Sequence, residues 1–438
     1  MPFNRLTGAV ILALSSQAVY ASGFALIEQS ASGQGLSYAG AAANAEDASV
    51  MWFNPAGLTQ IEASQAILGA HVIAPSAKFT NASSAGVVGG DGSIAGAVTG
   101  LISGAGDDGA TLGFVPNVYW KTELDGVDFG LGINVPFGQH ISYDETWVGR
   151  YHATETDLKT LNINPSIAKK VSDKLSFGFG LNVQYVDVLL GQKINQKVAG
   201  AAVADGNAEV TGNSWAFGYN LGLMYQPSES LNLGVGYRSA ITHDVNGQVK
   251  YSNMDNTTPI QALGGATFAQ VFTDAAAAAS VSLPDSLTVA ADYKLSDKVQ
   301  LLASATWTGW KAYDELVVDF ANAAPDSESN QSFQDSMRYS LGMSYQYSSK
   351  WKLRTGLAFD ETPVPNAQSR SPRTPDSDRA WLSFGAGYSI SKNVDLDVGY
   401  THIYADKAPV NYNISNNLLD GEFNSSVDIL SAQLVWNY

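Results

Sequence analysis

A two-residue alternation recurs along this chain and limits its fold more than any other feature. In its clearest form every second residue is large and apolar, over Trp215, Phe217, Tyr219, Leu221, Leu223 and Tyr225. The residues between them are Ala, Gly, Asn, Gly and Met. A period of two places alternate side chains on opposite faces of a β-strand. Because one face is bulky and the other small or polar, the pattern is typical of a membrane barrel with lipid outside and a polar lumen.

The number of alternating segments predicts the size of the barrel. Segments begin near residues 64, 112, 125, 157, 174, 211, 230, 282, 298, 333, 350, 378, 393 and 424. Six short turns alternate with long loops around 76–111, 137–156, 192–210, 251–281, 312–332, 362–377 and 406–423. Bacterial barrels have an even number of strands, with short turns on the periplasmic side. The sequence therefore predicts an all-β fold, a 14-stranded antiparallel transmembrane β-barrel over residues 64–438.

The first 21 residues have the features of a secretory signal peptide. Arg5 precedes the apolar stretch 9–19, and the small residue Ala21 ends the segment, so we expect cleavage after Ala21. That stretch is too short to span a bilayer, and no later window offers about 18 consecutive apolar residues. We therefore expect an exported chain that lies in the outer membrane of a Gram-negative bacterium.

Composition excludes several classes of function. A formal net charge of −17 disfavours nucleic acid as a partner, because phosphate binding needs a basic surface. The absence of Cys excludes disulfides, thiolate metal ligands and a cysteine nucleophile. None of the five His residues lies in a nucleophile elbow or a paired metal-binding motif. We expect no metal, no cofactor and no enzymatic activity.

Residues 22–63 do not alternate, and they precede the first predicted strand. They are rich in Ala, Gly and Ser and contain the aromatic pair Trp52 and Phe53. Small residues allow close packing, and irregular backbone is tolerated inside a wide barrel away from lipid. We predict a plug, or hatch, inside the lumen. The alternative is a disordered periplasmic leader, which the aromatic pair disfavours.

Several stretches of the chain resemble a known family. They are Gly23-Phe-Ala-Leu-Ile-Glu-Gln-Ser-Ala-Ser-Gly33, Tyr38-Ala-Gly-Ala-Ala, Asn54-Pro-Ala56, Gly149-Arg-Tyr-His-Ala153, Thr362-Pro-Val-Pro365 and Asp376-Ser-Asp-Arg-Ala-Trp381. Together they resemble the FadL-type long-chain fatty acid transporters. The resemblance implies a hatch-plugged barrel and uptake of hydrophobic molecules. The expected ligand is a long-chain fatty acid, with an aromatic hydrocarbon as the alternative. The expected partners are outer-membrane lipid and lipopolysaccharide around a monomeric barrel.

Two long loops carry candidate capture residues. Phe268, Val271 and Phe272, with Ala275, Ala276 and Ala279, have the spacing of one apolar stripe on a short helix. Ile194 and Val198 have the same spacing in the loop 192–210. Exposed apolar patches usually bind something, and the resemblance implies a low-affinity groove between these loops. The alternative is that the two helices only pack together as a lid.

Four cationic residues occupy positions that the two-residue alternation places on the lumen side, and they are candidates for binding a carboxylate. They are Arg338, Arg354, Arg238 and Lys170, of which the first two are favoured because they occupy adjacent strands. Lumen carboxylates are also present, so the alternative is that these cations form interior ion pairs.

The exit route is predicted mainly from the resemblance. Asn54, Pro55 and Ala56 resemble the hatch motif of the family, which implies that they lie at a wall opening beside a kink in the third strand. That strand contains Gly130, Gly132 and Pro136, residue types that weaken or interrupt a ladder. We predict lateral release through this gap; the alternative is that Asn54-Pro55-Ala56 forms an ordinary turn.

Overall fold

The computed structural model describes residues 23–81, 87–90, 99–102, 104–196, 203–259, 264–414 and 417–438. The predicted signal peptide and Val198 lie outside the described residues. The strands are β1 (Gln65–Asn81), β2 (Val87–Gly90), β3 (Thr99–Ile102), β4 (Gly113–Leu124), β5 (Val127–Asn134), β6 (Gly138–Ser142), β7 (Glu155–Ser172), β8 (Leu175–Ile194), β9 (Gly206–Ser228), β10 (Leu231–Arg238), β11 (Ile241–Ser252), β12 (Ala275–Leu283), β13 (Ser286–Lys294), β14 (Val299–Thr308), β15 (Glu315–Phe320), β16 (Ser327–Asn330), β17 (Ser336–Gln346), β18 (Trp351–Asp360), β19 (Arg379–Ser389), β20 (Val394–Ala405), β21 (Ala408–Ile414) and β22 (Asn417–Asn437).

Twenty of these strands form one continuous antiparallel sheet that closes on itself. β1 pairs with β4 on one side and with β22 on the other, where Gln65 lies opposite Asn437. Six wall strands consist of two consecutive segments, namely β5–β6, β10–β11, β12–β13, β14–β15, β16–β17 and β20–β21. The wall therefore has fourteen strands, which confirms the predicted barrel. β2 and β3 form a separate hairpin between β1 and β4.

The two faces of the wall differ as the alternation predicts. In β22, Leu430, Leu434 and Trp436 point outward and are exposed, whereas Ser431 and Gln433 point inward and are buried. The same division holds in the other long strands, so the bulky apolar side chains form an outer belt and the polar ones face the lumen. This arrangement suits a hydrocarbon environment outside the barrel.

Several strands begin earlier than the sequence indicates. β9 begins at Gly206, β12 at Ala275 and β22 at Asn417, each five to seven residues before the expected start. The predicted helical stripe is therefore wrong at Ala275, Ala276 and Ala279, which pair with β11 instead. A run of alanines carries no periodicity, so the ladder to β11 decides its conformation.

The helices are short. They are α1 (Ala31–Gln34), α2 (Val50–Phe53) and α3 (Phe268–Val271), with 3₁₀ turns at Pro55–Gln60 and Trp310–Ala312. Across the described ranges, no helix has both the length and the apolar character needed to cross a membrane.

Residues 23–64, called the N-terminal segment below, lie inside the barrel. Their polar atoms meet inward-facing groups all around the wall: Asn117 donates to the Glu28 carbonyl at 3.0 Å, Asn54 to the Leu223 carbonyl at 2.9 Å, and Ser304 to the Tyr38 carbonyl at 3.0 Å. Ser37 and Ser383 are hydrogen bonded at 2.7 Å. Strands on opposite sides of the ring contact one segment, so this segment occupies the lumen.

The segment packs closely enough to require glycine on the wall. A Cβ atom added to Gly236 would lie 1.8 Å from the carbonyl oxygen of Phe53. Only a residue without a side chain allows the two backbones to approach so closely. Close packing of the N-terminal segment therefore explains part of the glycine content of the barrel strands.

Candidate functional site

The third wall strand is interrupted, and the interruption leaves a gap in the wall. β5 ends at Asn134 and β6 begins at Gly138, so Val135–Phe137 leave the ladder, with Pro136 in the middle. β4 pairs with β5 only from Val118 onward. In the part of the chain that the structure describes, residues 113–117 of β4 have no ladder partner on that side. A proline lacks the N–H that a ladder needs, which explains why the break lies here.

The start of the N-terminal segment takes the place of the missing wall partner. The Leu26 amide donates to the Pro136 carbonyl at 2.8 Å, and the Gly138 amide donates to the Phe24 carbonyl at 3.0 Å. The Gln29 side chain also donates to the Val135 carbonyl at 3.3 Å. The bent strand is thus held by the segment in the lumen rather than by β4.

The Asn54-Pro55-Ala56 motif does not lie at this interruption, which corrects the expected position. The Asn54 side chain accepts from the Ala56 amide at 3.0 Å and donates to the Leu223 carbonyl at 2.9 Å. A Cβ at Gly222 would lie 2.0 Å from the Asn54 side-chain oxygen. The motif docks on β9 because its asparagine fixes the following 3₁₀ turn and fills the space left by glycine.

Gly130 and Gly132 lie in the regular part of β5, before the interruption. A Cβ at Gly130 would lie 2.8 Å from Leu58 and 2.9 Å from Met51, both in the N-terminal segment. Gly132 lies opposite Asn164 of β7. Among the predicted kink residues, Pro136 alone lies within the break, and Gly130 instead makes room for the segment.

A partly open cavity lies between the N-terminal segment and the wall. On the segment side it is lined by apolar residues, which include Leu26, Trp52 and Phe53. The wall side carries hydroxyl groups, the guanidinium groups of Arg238 and Arg338, and the carboxyl group of Asp360, which is paired with Arg379. Pro136 and Phe137 of the interrupted strand also line it. A cavity with one apolar and one polar, cationic side suits an amphipathic anion.

Arg238 lines this cavity without an acidic partner. Its guanidinium group lies 3.4 Å from the Trp52 ring centroid and donates to the Trp52 carbonyl at 2.7 Å. A second hydrogen bond goes to the side-chain oxygen of Asn182. No carboxylate in the described residues forms an ion pair with it. Its charge is therefore held by neutral acceptors and an aromatic face, so it remains available to an anion.

Arg338 is partly neutralised. It donates to Ser340 at 2.8 Å and to the Ser37 carbonyl at 3.1 Å, and its Nε lies 4.0 Å from Asp360. Asp360 forms a closer ion pair with Arg379, at 3.0 Å. Arg338 therefore shares a carboxylate that another cation holds more tightly.

Arg354 and Lys170 do not reach the cavity. Arg354 forms ion pairs with Glu46 of the N-terminal segment and with Asp397, the latter at 2.8 Å. Lys170 is exposed near the end of β7. Arg354 therefore forms an interior ion pair, the alternative to binding the carboxylate of a ligand. Burial would raise the pKa of Glu46, but Arg354 and the nearby Lys352 outweigh it and hold the pKa below its usual value.

The predicted capture residues come together as a closed cluster. Phe268, Val271 and Phe272 are buried against Ala324, and Ile194 packs on the same cluster. The rings of Phe268 and Phe272 are stacked 5.9 Å apart. The two loops thus touch through these side chains, as the lid interpretation requires.

Two residues of the N-terminal segment escaped the sequence predictions. Phe24 packs edge-on against Trp310, with ring centroids 4.9 Å apart. Glu28 is buried, one of its carboxyl oxygens has no hydrogen-bond partner, and burial raises its pKa to about 7. Glu28 is the only charged residue between positions 22 and 45. That isolation is the signal that could have identified it.

A closed barrel with a lipid-compatible belt, an occupied lumen and an interrupted wall defines an outer-membrane transport barrel. The family model described as outer membrane protein transport protein (OMPP1/FadL/TodX) matches residues 11–438. The chain therefore belongs to this family. This membership confirms the expected outer-membrane location and a transport role rather than an enzymatic one.

Curated relatives and solved structures agree with this assignment. The chain is 30% identical over 429 residues to the long-chain fatty acid transport protein of Salmonella typhi, covering 93% of each chain. It is 29% identical to the protein of the same name from Escherichia coli K12, covering 93% of this chain and 94% of that protein. A Pseudomonas aeruginosa FadL homologue has a TM-score of 0.83 at 22% identity, covering 95% of this chain and 99% of that one. The Ralstonia pickettii toluene transporter TbuX has a TM-score of 0.65 at 17% identity, with 95% and 99% covered.

Proposed function

We propose that this protein takes up long-chain fatty acids across the outer membrane. The observation that carries the proposal is the two-sided cavity, in which Arg238 has no acidic partner among the described residues and faces an apolar surface of the N-terminal segment. A carboxylate would gain a charge-assisted hydrogen bond from the guanidinium group. The acyl chain would gain about 0.8 kcal/mol for each CH₂ group removed from water. The names of the curated relatives support the same substrate class.

Transport begins at the loops in this proposal. The cluster of Ile194, Phe268, Val271 and Phe272 opens to admit the acyl chain, and its apolar side chains cover the chain during entry. The closed cluster then prevents the lumen from being continuously open. The same loop cluster therefore captures the ligand when it is open and acts as a lid when it is closed.

Release occurs sideways. The N-terminal segment acts as the hatch, because it holds the interrupted strand through Leu26 and Pro136. When the hatch moves, the gap beside residues 113–117 of β4 opens from the lumen into the bilayer. A hydrophobic ligand leaving by this route stays in apolar surroundings and need not cross a polar channel to the periplasm.

Uptake of radiolabelled oleate tests the proposal directly. The assay uses a strain that lacks its own fatty acid transporter and carries either this protein or an empty vector. We expect saturable uptake that depends on the protein and is blocked by excess unlabelled palmitate. Uptake no greater than that of the vector control would overturn the proposal.

An aromatic hydrocarbon is the second candidate ligand. Phe24, Phe137 and Trp310 form an aromatic cluster next to the cavity, and toluene transporters share the fold. A hydrocarbon would use the same route but would not need Arg238. Protein-dependent uptake of radiolabelled toluene, together with oleate uptake no greater than that of the vector control, would replace the fatty acid by this candidate.

A further inference from the structure

A row of buried asparagine side chains crosses the inner face of the wall between Arg238 and the gap. Its members, called the amide row below, are Asn134, Asn162, Asn164, Asn182 and Asn220, each no more than 2% exposed. They lie on the consecutive wall strands β5, β7, β8 and β9, and Arg238 lies on the next strand, β10.

The row is continuous from the cavity to the gap. Asn220 lies directly opposite Arg238, and Asn134 lies directly opposite Asn162. Asn162 donates to Asn134 at 3.2 Å and to Asn182 at 3.1 Å, and Asn164 donates to Asn220 at 2.9 Å. Four inter-strand steps span roughly 19 Å. One end is thus at the cavity cation, and the other is the last residue of β5 before the break.

The hydrogen-bonding capacity of the row is not exhausted. The side-chain nitrogen of Asn134 and the side-chain oxygens of Asn162 and Asn164 are buried and have no hydrogen-bond partner among the described residues. Buried polar groups that serve only to hold a fold are normally satisfied. Gly180 lets the row pack closely, since a Cβ atom there would lie 2.3 Å from the side-chain oxygen of Asn220. The row thus has one unused donor, the Asn134 nitrogen, and two unused acceptors.

The N-terminal segment covers the row. Asn220 donates to the Met51 carbonyl at 3.4 Å, and Arg238 donates to the Trp52 carbonyl at 2.7 Å. Both acceptors belong to α2, whose Met51 and Trp52 side chains are apolar. Movement of α2 would leave a polar row on the wall facing an apolar surface on the segment. A ligand between them would place its head group on the wall and its chain on the segment.

We propose that the amide row is the track along which the carboxylate head group of the ligand passes from Arg238 to the gap. This inference rests on the proposed function and names the head group as the part of the ligand that the path recognises. An anion in an apolar interior is costly unless hydrogen bonded. Each amide carries an NH₂ group that can exchange its present acceptor for a carboxylate oxygen, and none carries the fixed charge that would trap the anion.

In this proposal the ligand binds at Arg238 and moves along the amide row, so a change in the row should slow uptake without weakening binding. The test measures the two separately. In Asn162→Leu the side chain keeps a similar volume but loses its donors midway along the row. We expect oleate uptake to fall at least tenfold, while equilibrium binding of oleate to the purified protein changes less than twofold. Asn162→Asp keeps the shape but places a negative charge on the track, and we expect at least the same loss of uptake.

Asn417→Leu is the matched control, because Asn417 is also a buried amide with an unpartnered oxygen but begins β22, away from the row. It should leave uptake unchanged. Heat-modifiable migration on gels confirms that each variant is folded. Wild-type uptake in both Asn162 variants would overturn the track, and so would a parallel loss of binding. A wild-type protein that takes up no oleate would overturn the proposed function itself.

Discussion

At the scale of single residues, the interior cations divide into structural and available groups. Arg354 forms ion pairs with Glu46 and Asp397, whereas Arg238, within the part of the chain that the structure describes, contacts only neutral acceptors and Trp52. Arg238, Arg338 and Arg354 all occupy inward-facing positions of the two-residue alternation, so the sequence pattern could not tell the paired cation from the available one. What separates them is the position of carboxylates that are distant in sequence.

Arg238→Gln should therefore weaken ligand binding. A hydrogen bond to a charged group contributes about 1.5–3 kcal/mol, so we expect the Kd for oleate to rise roughly ten- to a hundredfold, since about 1.4 kcal/mol is tenfold. Isothermal titration with purified protein measures the change. Arg354→Gln is the control and should leave the Kd within about twofold. Equal effects of the two variants would contradict the assignment of Arg238.

Glu28 makes the docking of the N-terminal segment depend on pH. Burial raises its pKa from 4.5 to about 7 in the docked segment, so the docked state favours the protonated carboxyl. Docking is therefore strongest below about pH 4.5, weakens as the pH rises toward 7, and stays constant above it. Hydrogen exchange in residues 24–29, corrected for intrinsic rates, should report more frequent opening at pH 8 than at pH 5. Glu28→Gln should abolish this difference; an unchanged difference would contradict the prediction.

At the scale of elements, the decisive feature is a strand that changes partner. β5 belongs to the wall, but the chain after Asn134 pairs with the N-terminal segment before the wall resumes in β6. Pro136 was predictable as an interruption because proline cannot donate to a ladder. The replacement partner was not predictable, since residues 24–26 lie more than a hundred positions away.

Pro136→Val should favour closure of the gap. The substitution restores a backbone N–H and removes the fixed φ, so the strand can pair more regularly with β4. We expect severalfold slower oleate uptake with unchanged binding. Pro165→Val is the control, because Pro165 lies in β7 within a regular ladder opposite Leu131. Faster or unchanged uptake in Pro136→Val would argue against lateral release.

At the scale of the whole molecule, the apolar residues form a belt against lipid. Leu341 lies in the middle of β17, whereas Tyr347 follows its end and adjoins the turn at 348–350, and their side chains are exposed to nearly the same degree, 65% and 64%. They therefore differ mainly in depth.

Leu341→Arg should cost about 2–4 kcal/mol and Tyr347→Arg only about 0–1 kcal/mol, because a cation is most costly near the bilayer midplane. Urea unfolding in lipid vesicles gives both free energies of unfolding. Equal costs would contradict the placement of the belt.

Much of the barrel was predictable because alternation is a local property. The strand number, the orientation of the faces and the position of Pro136 all follow from neighbouring residues. The early start of β12 was missed because its first five residues are alanine and carry no alternation, and that of β22 because the adjacent Leu418 and Leu419 interrupt the alternation. The cavity and the amide row were missed for another reason: they depend on how the N-terminal segment docks and which strands become neighbours.

The central claim is that a fatty acid lies in the lumen with its carboxylate at Arg238 and leaves through the gap in the third strand. A crystal structure with a terminally brominated long-chain fatty acid tests it most directly, since anomalous scattering locates the chain end. The account predicts a carboxylate within hydrogen-bonding distance of Arg238 and bromine inside the cavity or toward Pro136. Bromine found only among the loops, or along a path to the periplasm, would contradict it.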